Sequence, residues 1–161
     1  MLSMRRAVAA IVMIAIAGCT SRHAGDSSAA DIEAAQQLIL DLDAAIAAGD
    51  LDGFVSFLAE DFVDMPANEP TIIGKEALRA HHEPLFQAFN LRVTHAPVET
   101  HSFGDVVIQR GAGIGEIAPK AGGDALMLDQ KYLFVFKRQE DGSLKLWRAI
   151  FNDNAPPPGF Q

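Results

Sequence analysis

The chain has 161 residues, with 21 Asp+Glu against 13 Lys+Arg and a formal net charge of −8. That length accommodates one folded domain behind an N-terminal leader, and an apolar content of 49% is enough to supply its core. An acidic chain repels phosphate backbones, which excludes nucleic acid as the expected partner.

Arg5 and Arg6 precede an apolar run from Val8 to Ala17, and Gly18-Cys19 follow it. Basic, then apolar, then small is the order of a secretory signal. The run is shorter than the roughly 20 residues of a membrane-spanning helix. Ile16-Ala17-Gly18-Cys19 resembles a bacterial lipobox. That resemblance implies a signal peptide over residues 1–18, with Cys19 acylated as the new N-terminus. The expected location is the cell envelope, lipid-anchored and facing the periplasm. Thr20 rather than aspartate follows the cysteine, which points to the outer membrane. Cys19 is the only cysteine, so no disulfide within the chain and no catalytic thiol is expected. Losing the leader removes Arg5 and Arg6 and no acid, leaving 11 basic against 21 acidic residues.

Residues 19–30 are small and polar and read as a flexible tether. A helix is expected from Asp31, where Ile32, Ala35, Ile39, Leu42 and Ile46 recur at spacings of three and four. Gly49 ends it, and Asp50 caps a short second helix containing Phe54 and Val55. Phe62 to Met65 reads as a strand. Pro66 to Pro70 is a turn, because two prolines forbid regular structure there. Thr71-Ile72-Ile73 can pair back on that strand. Lys75 to Phe89 is helical, with a kink or a break expected at Pro84.

The remainder reads as strands. Leu91 to Thr100 and Val106 to Ile114 flank a turn, and Glu116 to Gly123 reads as a loop. Leu126 to Arg138 and Leu144 to Asn152 flank a hairpin turn at Glu140-Asp141-Gly142-Ser143. Gly111-Ala112-Gly113-Ile114-Gly115 lacks the GxGxxG spacing of a dinucleotide loop. Helices first and strands last make an α+β domain over residues 31–154, with N-terminal helices packed on one face of a curved antiparallel sheet. Residues 155–161 form a Pro-rich tail.

Several strings in this order resemble the nuclear-transport-factor-2-like (NTF2-like) superfamily, with its ketosteroid isomerases, SnoaL-type cyclases and DUF4440 proteins. They are Ala47-Ala48-Gly49-Asp50-Leu51-Asp52-Gly53, Leu58-Ala59-Glu60-Asp61-Phe62-Val63-Asp64, Gly74-Lys75-Glu76-Ala77-Leu78 and Leu146-Trp147-Arg148-Ala149-Ile150-Phe151-Asn152. The resemblance implies a cone whose sheet and first helices enclose an apolar pocket, and a homodimer through the outer sheet face.

It also implies candidate chemistry. In Asp64-Met65-Pro66-Ala67-Asn68-Glu69-Pro70, the aspartate, Glu69 and Pro70 match a ketosteroid-isomerase stretch, whose aspartate moves a proton between carbons. Such a base needs a carboxylate in apolar surroundings, which raises its pKa toward working pH; a solvated aspartate capping the turn is the other reading of Asp64. The isomerases add a helix-borne tyrosine donor and a protonated aspartate. Leu42 stands at the tyrosine's position and cannot donate. Asp129 is the candidate for the acidic partner, with Tyr132 the only phenol in the chain. His82 is the candidate histidine for acid–base work, on a helix that relatives often turn toward the pocket.

Met65, Trp147, Arg148 and Asn152 are the candidate pocket-binding residues. Strand alternation sets Trp147, Ala149 and Phe151 against Arg148, Ile150 and Asn152. Trp147 also reads as core or dimer surface, and Arg148 and Asn152 bind a ligand only if they face the cone. His81, His82, His95 and His101 lack HxH or HExxH spacing, so no metal is expected. The absence of a GxSxG elbow, a P-loop or a paired CxxC leaves no cofactor to expect.

The leading reading is a membrane-anchored domain that binds a small, mostly apolar molecule. The alternatives are an acid–base isomerase, cyclase or dehydratase using Asp64, and an oligomerisation module whose cone is filled by its own side chains. Phe54, Phe57, Phe62, Phe86, Phe89, Phe134 and Phe136 are numerous enough to fill it. The lipid reading is tested by Cys19→Ser, which is expected to abolish acylation and release the protein from the membrane fraction. Unchanged processing and sedimentation would refute it.

Overall fold

The computed structural model describes residues 24–155. The stretch read as a signal peptide, Cys19 and the stretch 156–161 lie outside the described residues.

Helix α1 spans Ala24–Ala48 and begins seven residues before the expected Asp31, inside the segment read as a tether. Once a helix is nucleated each added residue costs little, and this stretch contributes several alanines. Ala35, Leu38, Ile39, Leu42 and Ile46 form its buried stripe. Gly49, at φ 70°, ends it in a Schellman turn, with Gly49 N donating to Ile46 O at 3.0 Å and Asp50 N to Ala45 O at 2.9 Å. Asp50 then caps α2 (Leu51–Ser56), its carboxylate accepting from Gly53 N at 2.8 Å.

Strand β1 (Leu58–Met65) starts four residues before the expected Phe62, and β2 (Ile72–Ile73) pairs back on it antiparallel. Helix α3 (Lys75–Ala88) runs through Pro84 as one helix, so the expected division into two pieces does not occur. Strands β3 (Phe89–Phe103), β4 (Val106–Pro119), β5 (Leu126–Arg138) and β6 (Leu144–Asp153) complete a six-stranded sheet in the order β2-β1-β6-β5-β4-β3. The sheet is mixed, because β1 pairs parallel with β6. The whole domain separates those two strands, so no hairpin forces them antiparallel.

Strand β4 continues to Pro119, through part of the expected loop, because Gly111 and Gly115 let β3 lie close. A Cβ on Gly111 would meet Ala96 O at 2.2 Å, and one on Gly115 would meet Arg92 O at 1.9 Å. The pairing runs from Phe89↔Pro119 to Phe103↔Val106, with a register shift between Pro97 and Glu99. A second shift, between Val135 and Phe136 in the β5–β6 pairing, leaves Trp147 without a partner. Bulges of this kind bend a sheet and sharpen its twist.

The helices lie on the concave face, over a core that includes Ile39, Val55, Leu58, Leu78, Val107 and Phe136. The convex face leaves Leu133, Ile114 and Met127 exposed at 42%, 57% and 69%.

Buried Asp31 ties α1 to the sheet. It pairs with Arg138 of β5 and accepts from Ser102 Oγ of β3 at 3.2 Å, while Arg138 Nη1 also donates to Gly142 O at 2.7 Å. Asp31→Ala leaves a partly buried guanidinium without its anion. The expected loss is roughly 1–3 kcal/mol in urea unfolding; a change within about 0.5 kcal/mol, the range of ordinary surface substitutions, would show the pair to be incidental.

Candidate functional site

Between the three helices and the concave sheet face lies a cavity of about 220 Å³. Phe54, Phe62, Phe86 and Phe134 form part of its wall, while Phe57, Phe89 and Phe136 lie outside it. The cone is therefore open, and the reading of a cone filled by its own side chains is corrected. Four lining residues carry polar side chains: Asp64, His82, His95 and Gln130.

Alternation along β1 turns Phe62 and Asp64 toward the helices and Met65 away. Asp64 is 4% exposed, and its Oδ1 is buried without a hydrogen-bond partner. Burial pushes the carboxyl up to about 7; a hydrogen bond from the Met65 backbone works against this, and the charge of Glu69 adds to it. Glu69 itself pairs with His81 Nε2 at 3.1 Å.

His82 stands one turn after Leu78 on α3, and its Nδ1 lies 3.2 Å from Leu78 O. A carbonyl only accepts, so Nδ1 holds the proton and Nε2 is left as an acceptor. Burial, reinforced by neighbouring His81, holds the imidazole below its ordinary pKa, against the Leu78 bond and the charge of Glu69.

His95 is held from several sides. Asp43 of α1 accepts from His95 Nδ1 at 2.5 Å through Oδ1 and from the His95 backbone N at 2.8 Å through Oδ2. The Tyr132 ring meets the imidazole edge-on at 5.2 Å, and Phe134 lies 5.2 Å away. Tyr132 is itself anchored, donating to Gln109 Oε1 at 3.1 Å, and Gln109 Nε2 donates to Thr100 Oγ1 at 3.2 Å. With Nδ1 given to a carboxylate, Nε2 is the nitrogen free for chemistry. The sequence reading missed both members of this pair. The available signal was Asp43 itself, four residues after Ile39 on the buried stripe, where a carboxylate needs a partner.

Of the residues singled out in the sequence, the structure brings Asp64 and His82 to one cavity and leaves the others outside. Leu128 and Gln130 of β5 turn inward, so Asp129 between them turns outward and accepts from Asn154 Nδ2 at 2.8 Å. Tyr132 faces inward but supports the wall; its hydroxyl is committed to Gln109, and burial, then Asp43, pushes the phenol up to about 12. The unpaired Trp147 upsets the alternation expected of β6. Ala149 and Phe151 line the cavity, whereas Trp147 Nε1 donates to Asp61 Oδ2 at 2.9 Å. Arg148 lies 3.9 Å from the Trp147 ring and donates to Asp61 O at 2.8 Å, and Asn152 is exposed. Met65, Trp147, Arg148 and Asn152 are therefore corrected from pocket to outer surface, and Asp129 and Tyr132 from the candidate catalytic set. Among the described residues, no three His, Cys, Asp or Glu side chains cluster as a metal site.

A family model described as a SnoaL-like domain matches residues 39–147. No curated protein matches the sequence. Among solved structures, a ketosteroid isomerase-like protein from Erwinia carotovora atroseptica is 19% identical at a TM-score of 0.69, over 78% of this chain and 98% of that one. A provisionally assigned scytalone dehydratase from Novosphingobium aromaticivorans is 14% identical at 0.69, over 79% and 86%. A provisionally assigned dehydratase of the NTF2-like family from Streptomyces avermitilis is 16% identical at 0.66, over 80% and 99%. At these identities the likeness establishes the fold alone.

The raised pKa of Asp64 makes stability depend on pH with a definite sign. A carboxyl near 7 in the fold and at 3.8 outside it contributes stability below about pH 4 that is lost as pH rises through 7. Asp64→Asn keeps the shape and removes the ionisation. Its stability relative to wild type is expected to climb between pH 4 and 8 by roughly 2–4 kcal/mol. Thermal melts across that range check this, and a difference that does not vary with pH would mean the carboxyl is solvated.

Proposed function

The chain belongs to the SnoaL-like domain family, and from that premise we propose that it is an acid–base enzyme of the isomerase or dehydratase type. One observation carries this reading: a buried carboxyl with one oxygen unpartnered and its pKa pushed up to about 7 shares an apolar cavity with a histidine oriented by its own aspartate. A site for binding alone has no use for a desolvated carboxylate, which costs free energy.

The chemistry follows from the groups present. Asp64 takes a proton from a carbon next to a carbonyl, a task suited to a base whose pKa lies near working pH. His95, held by Asp43 through Nδ1, in its protonated form donates from Nε2 to the developing oxyanion. In an isomerisation the same proton returns to another carbon. In a dehydration His95 instead protonates a departing hydroxyl, which leaves as water. His82 Nε2, unprotonated, accepts a hydrogen bond from a substrate hydroxyl. Two of the structural neighbours carry dehydratase names, which fits this class of reaction. That a lipid on Cys19 holds the domain at a membrane rests on the sequence of residues 5–19.

Deuterium exchange at the carbon next to the carbonyl of 4-hydroxyacetophenone, followed by NMR, tests the proton transfer. The rate is expected to rise with pH through about 7 as Asp64 ionises. Asp64→Asn and His95→Gln should each lower it by about 10²-fold or more. A rate equal to the buffer blank, or one that survives Asp64→Asn, would leave the cavity as a binding site without chemistry.

A further inference from the structure

From the cavity's volume and the polarity of its wall, we propose that its ligand is an uncharged, hydroxyl-bearing single-ring compound of about ten non-hydrogen atoms, with oxygen at opposite edges of the ring. This rests on the preceding section's reading that this cavity is the working site.

Size comes first. An apolar cavity of about 150 Å³ takes benzene. The 220 Å³ here leaves room for that ring and about three or four further atoms. A steroid has about twice as many atoms as this space can enclose.

Charge comes second. None of the described lining residues is a lysine or an arginine. A carboxylate or phosphate placed inside would lose its water, find no lysine or arginine to pair with and face Asp64. The polar atoms the wall offers are Asp64 Oδ1, His82 Nε2, His95 Nε2 and the side-chain oxygen of Gln130, whose amide nitrogen donates to Asp153. Ionised Asp64 and His82 Nε2 accept, and His95 Nε2 accepts when neutral and donates when protonated. The complementary ligand therefore brings donors, which on a small neutral ring means hydroxyl groups.

Placement comes third. Asp64 lies on β1 and His95 on β3, with β6, β5 and β4 between them in the sheet. The curved sheet thus presents its two acid–base groups from opposite flanks of the cavity. A ring spanning them needs a polar atom at each end, and the aromatic wall of Phe54, Phe62, Phe86 and Phe134 takes the ring itself.

Isothermal titration of the full chain with three probes tests this. 4-Hydroxyacetophenone has about the intended size and carries no charge, 4-hydroxybenzoate is equally large but anionic, and estradiol is neutral with about twice the atoms. At pH 7.5, 4-hydroxyacetophenone is expected to bind saturably and about tenfold or more tighter than 4-hydroxybenzoate, with no saturable binding of estradiol. Asp64→Asn should narrow the gap between the two small probes, because it removes the facing carboxylate. Saturable binding of estradiol, equal affinity for the anion, or no binding of 4-hydroxyacetophenone would each overturn the proposal. The isotherms need no turnover. If they hold and deuterium exchange fails, the ligand class stands and the catalytic reading falls; exchange on a larger ketone together with estradiol binding gives the reverse.

Discussion

The fold depends on helix α1 being fastened across the concave face by two carboxylates. Asp31 grips Arg138 and Ser102, and Asp43 grips the ring and backbone of His95. They lie twelve residues apart on the same helix, about 18 Å along its axis at 1.5 Å per residue. Between them the apolar stripe presses on the sheet, so the helix has one place to sit. The same contact that seats α1 at Asp43 also aims His95, which makes the architecture of the domain and the geometry of its site a single constraint.

The cavity survives because large side chains are absent at a few inward positions. Ala149 faces inward on β6 between the strand of Asp64 and that of Phe134, where a larger side chain would occupy the floor. Gly111 and Gly115 draw β3 against β4. Phenylalanines enclose the space from several elements, and this apolar enclosure drives the Asp64 carboxyl up to about 7. An Asp64 in water would titrate ordinarily and be a poor base at neutral pH. Close packing and pKa tuning are thus one property of the enclosure.

The polar groups divide into those that are satisfied and those that are not. Gln109, with no exposed surface, gives one bond and takes one within a chain from Thr100 to Tyr132. Such a network stiffens the wall behind His95 without offering anything to a ligand. Trp147 likewise spends its N–H on Asp61 and its ring face on Arg148, on the far side of the sheet. Against this background of matched donors and acceptors, Asp64 Oδ1 stands out as a buried side-chain atom without a partner among the described residues.

By itself, the sequence determined the element order, the caps at Gly49 and Asp50, the β5–β6 hairpin and the family, and it left Asp64 open between a pocket base and a solvated turn cap. These rest on local rules: helical and strand periods, glycine's positive φ, and strings long enough to identify a fold. Only the tertiary structure decided the rest. The meeting of Asp43 with His95 joins residues 52 positions apart, and no local pattern encodes such a contact. The parallel pairing of β1 with β6 spans the whole domain in the same way. The unpaired Trp147 breaks the alternation of β6, so strict alternation wrongly grouped Trp147 with Ala149 and Phe151, and which face of the strand meets the cavity stayed open until the sheet was assembled. A register shift depends on the neighbouring strand, and a single strand's sequence carries no record of it.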